Sequence, residues 1–216
     1  MRAFAIVNQK GGCGKTTSAI SMSAVLAKRG HRTLLIDLDP QAHCAAGLGV
    51  PEHMVEHSIG DALVDDLESY NTDTYDPARL AWEVARNFSL APSSMRLAML
   101  EAPGGGLHEK PRKDARLEML LELLAPHFDR CVIDCPPTIG LLTFNAMRAV
   151  REVIVPVETG YFAMRGAEKQ WQTIQRVIQR IGRPIASHIL PTLYDPDSAL
   201  APVSYTHLTL PTIAKV

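Results

Sequence analysis

Lys10-Gly11-Gly12-Cys13-Gly14-Lys15-Thr16-Thr17 follows directly on the apolar run Ala3-Phe4-Ala5-Ile6-Val7, and the reading of this stretch decides the fold. The apolar run predicts a buried strand, the glycines a tight turn, and Lys15-Thr16 the opening of a helix. Glycine lets backbone N–H groups turn inward and approach an anion with no Cβ in the way. The helix that follows aims its positive dipole end at the same point. Lys15 then reaches terminal phosphates, and the Thr16 hydroxyl is placed to ligate Mg²⁺. The unit implies a cradle for a nucleoside triphosphate, with Gly11, Gly12, Cys13, Gly14 and Lys15 around the phosphates and Thr16 and Thr17 at the helix start.

Working outward, Thr33-Leu34-Leu35-Ile36-Asp37 predicts a second buried strand, and its end delivers Asp37-Leu38-Asp39-Pro40-Gln41. Cys131-Val132-Ile133-Asp134 is a third strand ending in a carboxylate, followed by Cys135-Pro136-Pro137. Val153–Val157 and Pro184–Thr192 read as further core strands, and Phe88–Pro92 as another. Apolar strands alternating with helical segments predict an α/β fold, a doubly wound, mostly parallel sheet with helices on both faces. In such sheets ligand groups collect beyond the carboxyl ends of the strands, where Asp37, Asp39 and Asp134 all fall.

The phosphate loop departs from the common pattern: Gln9 stands where the first glycine belongs, and an extra lysine, Lys10, precedes Gly11. This K-G-G-x-G-K-T-T spelling is the deviant Walker A motif. With D-x-D-P-Q at 37–41 and D-x-P-P-x-x-G-x-L from Asp134 to Leu142, it resembles the ParA/MinD family of ATPases, most closely the ParA/Soj-type partition proteins. The resemblance covers roughly residues 1–200 and implies a P-loop NTPase domain, a Rossmann-like three-layer sandwich binding ATP and Mg²⁺. It implies Lys10, Lys15 and Asp39 as catalytic residues, with Asp39 orienting the attacking water and Lys10 reaching across a homodimer to the partner's ATP. Thr16, Asp37 and Asp134 would serve the metal, Asp134 through water. Non-specific DNA and a ParB-like stimulating protein are the implied partners, with a cytoplasmic, nucleoid-associated location. After Gln41 the family often continues Gly-Asn, whereas this chain has Ala42-His43.

With 22 Lys+Arg against 23 Asp+Glu, the net charge of −1 demands no nucleic-acid partner globally, so any DNA contact must come from a local face. The helix read at about Met164–Ile181 offers one. At about 100° per residue, Arg165, Lys169, Arg176, Arg180 and Arg183 fall within a sector of about 60°. Ala167, Trp171, Ile174, Val177, Ile178 and Ile181 lie opposite. The stripe reads equally as a solvated helix face and as a contact for DNA phosphates.

Other features are weaker. His43, Cys44, His53 and His57 have no compact zinc spacing, and the histidines read as exposed loop residues. The four cysteines read as reduced thiols used as small apolar residues, with Cys13 expected to have a lowered pKa and to be open to alkylation. Ser58 is expected to cap a short helix, Ser93 or Ser94 one ending near Leu100, and Asp114 the helix carrying Leu117–Leu124. Asp65–Asp76 reads as a surface excursion. No apolar run reaches membrane-spanning length, and no membrane partner is expected. Residues 201–216 lack helical period, depart from the family and read as an atypical, foreign tail on a domain incomplete at its end. Rival readings are a MinD-like positioning ATPase, which would want an amphipathic membrane helix, and an ATP-dependent metabolic enzyme on the same scaffold. An iron–sulfur reductase fits less well, because Cys135 directly follows Asp134.

Overall fold

Four strands of the sheet are apolar on both sides, and that forces helices onto both faces. In β1 (Arg2–Ile6), β2 (Thr33–Asp37), β5 (Arg130–Asp134) and β6 (Glu152–Glu158), successive residues feed opposite clusters. Ile6, Leu35, Val132 and Ile154 pack with Ala19 and Ala27 of α1 (Lys15–Lys28) and with Cys44 and Ala45 of α2 (His43–Gly47). Ala5, Leu34, Ile36, Ile133, Val153 and Val155 pack the other way. There they meet α3 (Ile59–Val64), α4 (Arg96–Glu101), α5 (Arg116–Leu124), α6 (Leu141–Ala149) and α7 (Tyr161–Ile181). This computed structural model describes residues 1–158 and 161–193, with the side chains of 52 and 161–170 outside the described set. Residues 201–216, read above as an atypical tail, lie outside the described residues.

The seven described strands run in the order β3-β4-β2-β5-β1-β6-β7, adding β3 (Trp82–Ala85), β4 (Phe88–Ala91) and β7 (Ala186–Thr192). Every pairing is parallel except the β3–β4 hairpin. The expected three-layer α/β sandwich is therefore present. Register sets the functional rim: Asp134 pairs with Ile6 on one side and Asp37 on the other, so β1, β2 and β5 end level.

Several local expectations change. Residues 186–192 form an edge strand among those described, with His188 and Leu190 exposed, rather than a core strand. β3 was not legible, because its four residues alternate only weakly and owe their strand to pairing with β4. Neither Ser93 nor Ser94 caps α4, which begins after Met95; the Ser94 hydroxyl instead donates to Ser58 Oγ at 3.3 Å. Asp114 does not cap α5 but pairs with Arg148 at 2.9 Å. The start of α5 is packed against α6, so the completely buried Asn145 of α6 receives the Leu117 N–H (3.1 Å) and donates to the Lys113 carbonyl (2.8 Å). Ser58 does begin α3 as expected, in a capping box: its N–H and hydroxyl both donate to Asp61, at 3.0 and 2.7 Å. Among the described residues no helix is long and apolar enough to cross a membrane.

The outer face hangs on one unexpected residue. Arg116 is completely buried, donating to the carbonyls of Leu63 (3.0 Å) and Asp65 and to Glu68 (2.9 Å), and so ties α5 to the segment after α3. Arg116→Ala leaves those carbonyls unmet and opens a void, so it should cost about 3 kcal/mol in urea denaturation. Glu68→Gln, altering a side chain that is 43% exposed, should stay within about 1 kcal/mol. Equal losses would contradict this assignment.

Candidate functional site

The loop between β1 and α1 folds as its glycines require. Gly12 and Gly14 take left-handed φ values of 72° and 86°, which residues with a Cβ rarely adopt. At Gly14 the demand is conformational: a Cβ there would sit 3.6 Å from the Thr192 methyl, an ordinary contact. Gly14 caps α1, whose first turn carries no acidic residue, so the positive helix end is not neutralised from within the helix. Gly11, Gly12 and Thr17 are exposed on the loop and first turn, while Cys13 and Lys15 are buried.

Three residues not singled out from the sequence hold this loop to the sheet. Buried Asn8 accepts the Lys10 N–H at 2.6 Å and donates to the Pro156 carbonyl of β6. Thr192, at the end of β7, donates to the Cys13 carbonyl at 2.8 Å. Glu158, at the end of β6, forms an ion pair with Lys10. The sequence signal for each was its position at a strand's carboxyl end, which selects a rim but not a partner.

The two lysines differ. Lys15 is buried, and its ammonium donates to the Lys10 carbonyl at 3.2 Å, with no carboxylate partner among the described residues. Lys10 is half-exposed, like its partner Glu158, a pairing that holds it only weakly.

Opposite the loop, Thr16 Oγ1 donates to Asp134 Oδ2 at 2.6 Å. Asp134 and Asp37 are completely buried. Asp37 accepts the Asp39 and Cys44 N–H groups, both at 3.0 Å, and Asp39 accepts the Gln41 N–H at 3.0 Å. Burial, with Asp134 adding its charge, pushes the Asp37 carboxyl up to about 7. Burial also raises Asp134, against the hydrogen bonds from Thr16 and Cys44 and the charge of Lys15. One Asp134 oxygen, Oδ1, has no hydrogen-bond partner among the described residues. A divalent cation at this rim would meet that oxygen and relieve the crowding of carboxylates. The donors therefore fit Mg²⁺ beside a triphosphate: a buried carboxylate, a hydroxyl, a free helix end and a buried ammonium.

All four thiols are free and buried, as expected of small apolar residues, but Cys13 departs in its pKa. Cys13 is buried with its Sγ on the Lys10 carbonyl at 3.2 Å, and burial raises its pKa despite the nearby Lys15 charge. The expected lowered pKa is therefore corrected, because the thiol turns under the loop instead of outward. Cys44 is completely buried, with Sγ 3.5 Å from Asp134 Oδ2.

The basic stripe is shorter than its periodicity implied. Arg176 and Arg180 are exposed on α7, and the Arg180 guanidinium also covers the Phe144 ring at 5.5 Å. The helix ends at Ile181, and Gly182 turns at a φ of 77°. Arg183 consequently leaves the helical face and folds back, half-buried, onto the Arg148 carbonyl. Arg165 and Lys169 lie on the α7 backbone, with side chains outside the described residues.

The chain is similar to several known proteins. The family model described as an AAA domain matches residues 1–187. The sporulation initiation inhibitor protein Soj of Bacillus subtilis is 37% identical over 179 residues, covering 83% of this chain and 66% of Soj. The chromosome partitioning protein ParA of Myxococcus xanthus is 35% identical over 201 residues, 93% of this chain and 68% of that protein. Among solved structures, cobyrinic acid a,c-diamide synthase from Mycobacterium smegmatis, with bound ATP analog and magnesium, superposes with a TM-score of 0.81. That match is 32% identical and covers 100% of this chain and 83% of the other. Matched by the family model over most of its length, and by Soj and a chromosome partitioning ParA at 35–37% identity, the chain belongs to the AAA domain family and, within it, to the ParA/MinD-type ATPases.

Proposed function

We propose that this protein is an ATP-dependent dimerisation switch with slow hydrolysis, acting in the partitioning of chromosomal or plasmid DNA. One observation carries the reading: two lysines of the same loop are held in opposite ways. Lys15 is buried and turned inward, whereas Lys10 is half-exposed and held by a weak surface pair with Glu158. A lysine serving the phosphates of its own chain belongs in the first position; one serving a second chain belongs in the second. The similarity to a chromosome partitioning protein supports the same process.

In this reading Gly11–Lys15 wrap the phosphates with backbone N–H groups, and Lys15 leaves the Lys10 carbonyl to meet them. Thr16, Asp134 and Asp37 hold Mg²⁺, which supplies charge neutralisation of the triphosphate when bound. Asp39, two residues beyond the end of β2, orients the attacking water. Lys10 exchanges Glu158 for the partner's phosphate. The ATP dimer binds DNA phosphates through Arg176 and Arg180, and a ParB-like protein stimulates release. A cytoplasmic, nucleoid-associated location follows from that cargo.

A second reading, an ATP-dependent metabolic enzyme, has support from the 32% identity to the diamide synthase. Turnover separates the two: DNA-coupled ATPase activity supports the switch, and strict dependence on a small acceptor supports the enzyme.

The switch is tested by size-exclusion chromatography with ATP and Mg²⁺. Asp39→Ala should run as a trapped dimer and Lys10→Ala as a monomer; a monomeric Asp39→Ala would contradict the reading. For the DNA contact, Arg176→Glu with Arg180→Glu should weaken binding at least about tenfold and reduce the salt slope by about 2 per protomer. An unchanged slope would leave the α7 arginines as solvated surface.

A further inference from the structure

Glu101, the last residue of α4, serves the start of α6 from outside that helix. Its Oε1 accepts the N–H of Leu142, the second helical residue, at 3.0 Å, where a capping side chain ordinarily binds. Gly140 begins α6 and has no side chain of its own to act as cap. A carboxylate in this place also meets the positive end of the helix. The approach is close: a Cβ at Gly140 would overlap Glu101 Oε1 and sit 3.1 Å from its Cδ. Gly140 is extended, with a φ of −108° that any residue adopts. The glycine is therefore demanded by the Glu101 carboxylate and not by the backbone.

This clasp closes the segment 135–140, which leads from Asp134 to α6. At its upstream end the Cys135 N–H donates to the Ile6 carbonyl at 3.2 Å. Pro136 and Pro137 follow, with fixed φ and no N–H, so the segment has little freedom to absorb a shift. Downstream, the Thr143 hydroxyl donates to the Thr138 carbonyl at 2.6 Å, and Glu101 holds the helix start itself. A displaced α6 start is thus passed back to Asp134, whose Oδ2 meets the Thr16 hydroxyl.

We propose that Glu101 is a positioning residue for the Mg²⁺–triphosphate site: by clasping the start of α6 it sets residues 135–140 and, through them, the Asp134 carboxylate. The inference rests on the assignment of Asp134 to the metal and is independent of dimerisation and of DNA. Partners that orient a metal-binding carboxylate tune affinity without touching the metal.

Hydrogen exchange of the full chain, free of nucleotide, reads the clasp. Exchange across residues 138–142 should rise at least about tenfold in Glu101→Ala, and equally in Gly140→Ala, whose methyl displaces the carboxylate. Glu101→Gln, with an oxygen that still accepts the Leu142 N–H, should stay near wild type. Calorimetric titration with ATP, with and without Mg²⁺, reads the consequence. Glu101→Ala should lose at least about tenfold of the affinity that Mg²⁺ adds, while its Mg²⁺-free affinity stays within about threefold of wild type. Glu101→Gln should keep both. Adding Gly140→Ala to Glu101→Ala should cost nothing more, because the carboxylate that a Cβ would strike is gone. Wild-type exchange or wild-type Mg²⁺ dependence in a folded Glu101→Ala, or an equal loss in Glu101→Gln, overturns the proposal. If Glu101→Ala does not fold, Gly140→Ala against Glu101→Gln decides by the same two readings. A wild type whose affinity ignores Mg²⁺ overturns it together with the metal assignment beneath it.

Discussion

Asp37 and Asp134 are register partners on adjacent parallel strands, and both are completely buried. Two carboxylates held side by side away from water cannot both ionise cheaply, and the structure meets that constraint from every direction. Backbone N–H groups of Asp39 and Cys44 serve one acid, while the Thr16 hydroxyl and the Cys44 thiol serve the other. Burial still raises both carboxyls, so the rim is prepared for a cation. Strand register and the start of α1 bring Asp134 and the Thr16 hydroxyl together, and these are the residues that would hold such a cation.

The phosphate loop is held as firmly from the other side of β1. Asn8, Glu158 and Thr192 lie at the ends of β1, β6 and β7, and they bind Lys10 N–H, Lys10 ammonium and Cys13 carbonyl respectively. Opening the loop for a ligand therefore involves the β6–β7 edge as well as α1. Of these links, the Lys10–Glu158 pair is the most exposed and the least costly to exchange.

Much of this arrangement was legible in the sequence, because both periodicities were strong. Apolar runs at 3–7, 33–37, 131–134 and 153–157 became the four central strands, and each carboxylate after them reached the rim. What stayed illegible was decided by packing across elements. β3 owes its existence to its partner strand, and the start of α5 is met by Asn145 from α6 rather than by Asp114. Periodicity carried Arg183 onto a helical stripe, but Gly182 ended the helix first. Cys44 read as a small apolar thiol, but its contact with the buried acids is set by where the five-residue α2 packs.

The central claim, that the rim and loop form one site for Mg²⁺ and a nucleoside triphosphate, is tested most directly by calorimetric titration of the full chain with ATP and Mg²⁺. Saturable heat at one site per chain, weakened at least about a hundredfold by Lys15→Ala, is the predicted result. No heat from a folded wild type, or equal affinity in the Lys15 variant, would contradict it.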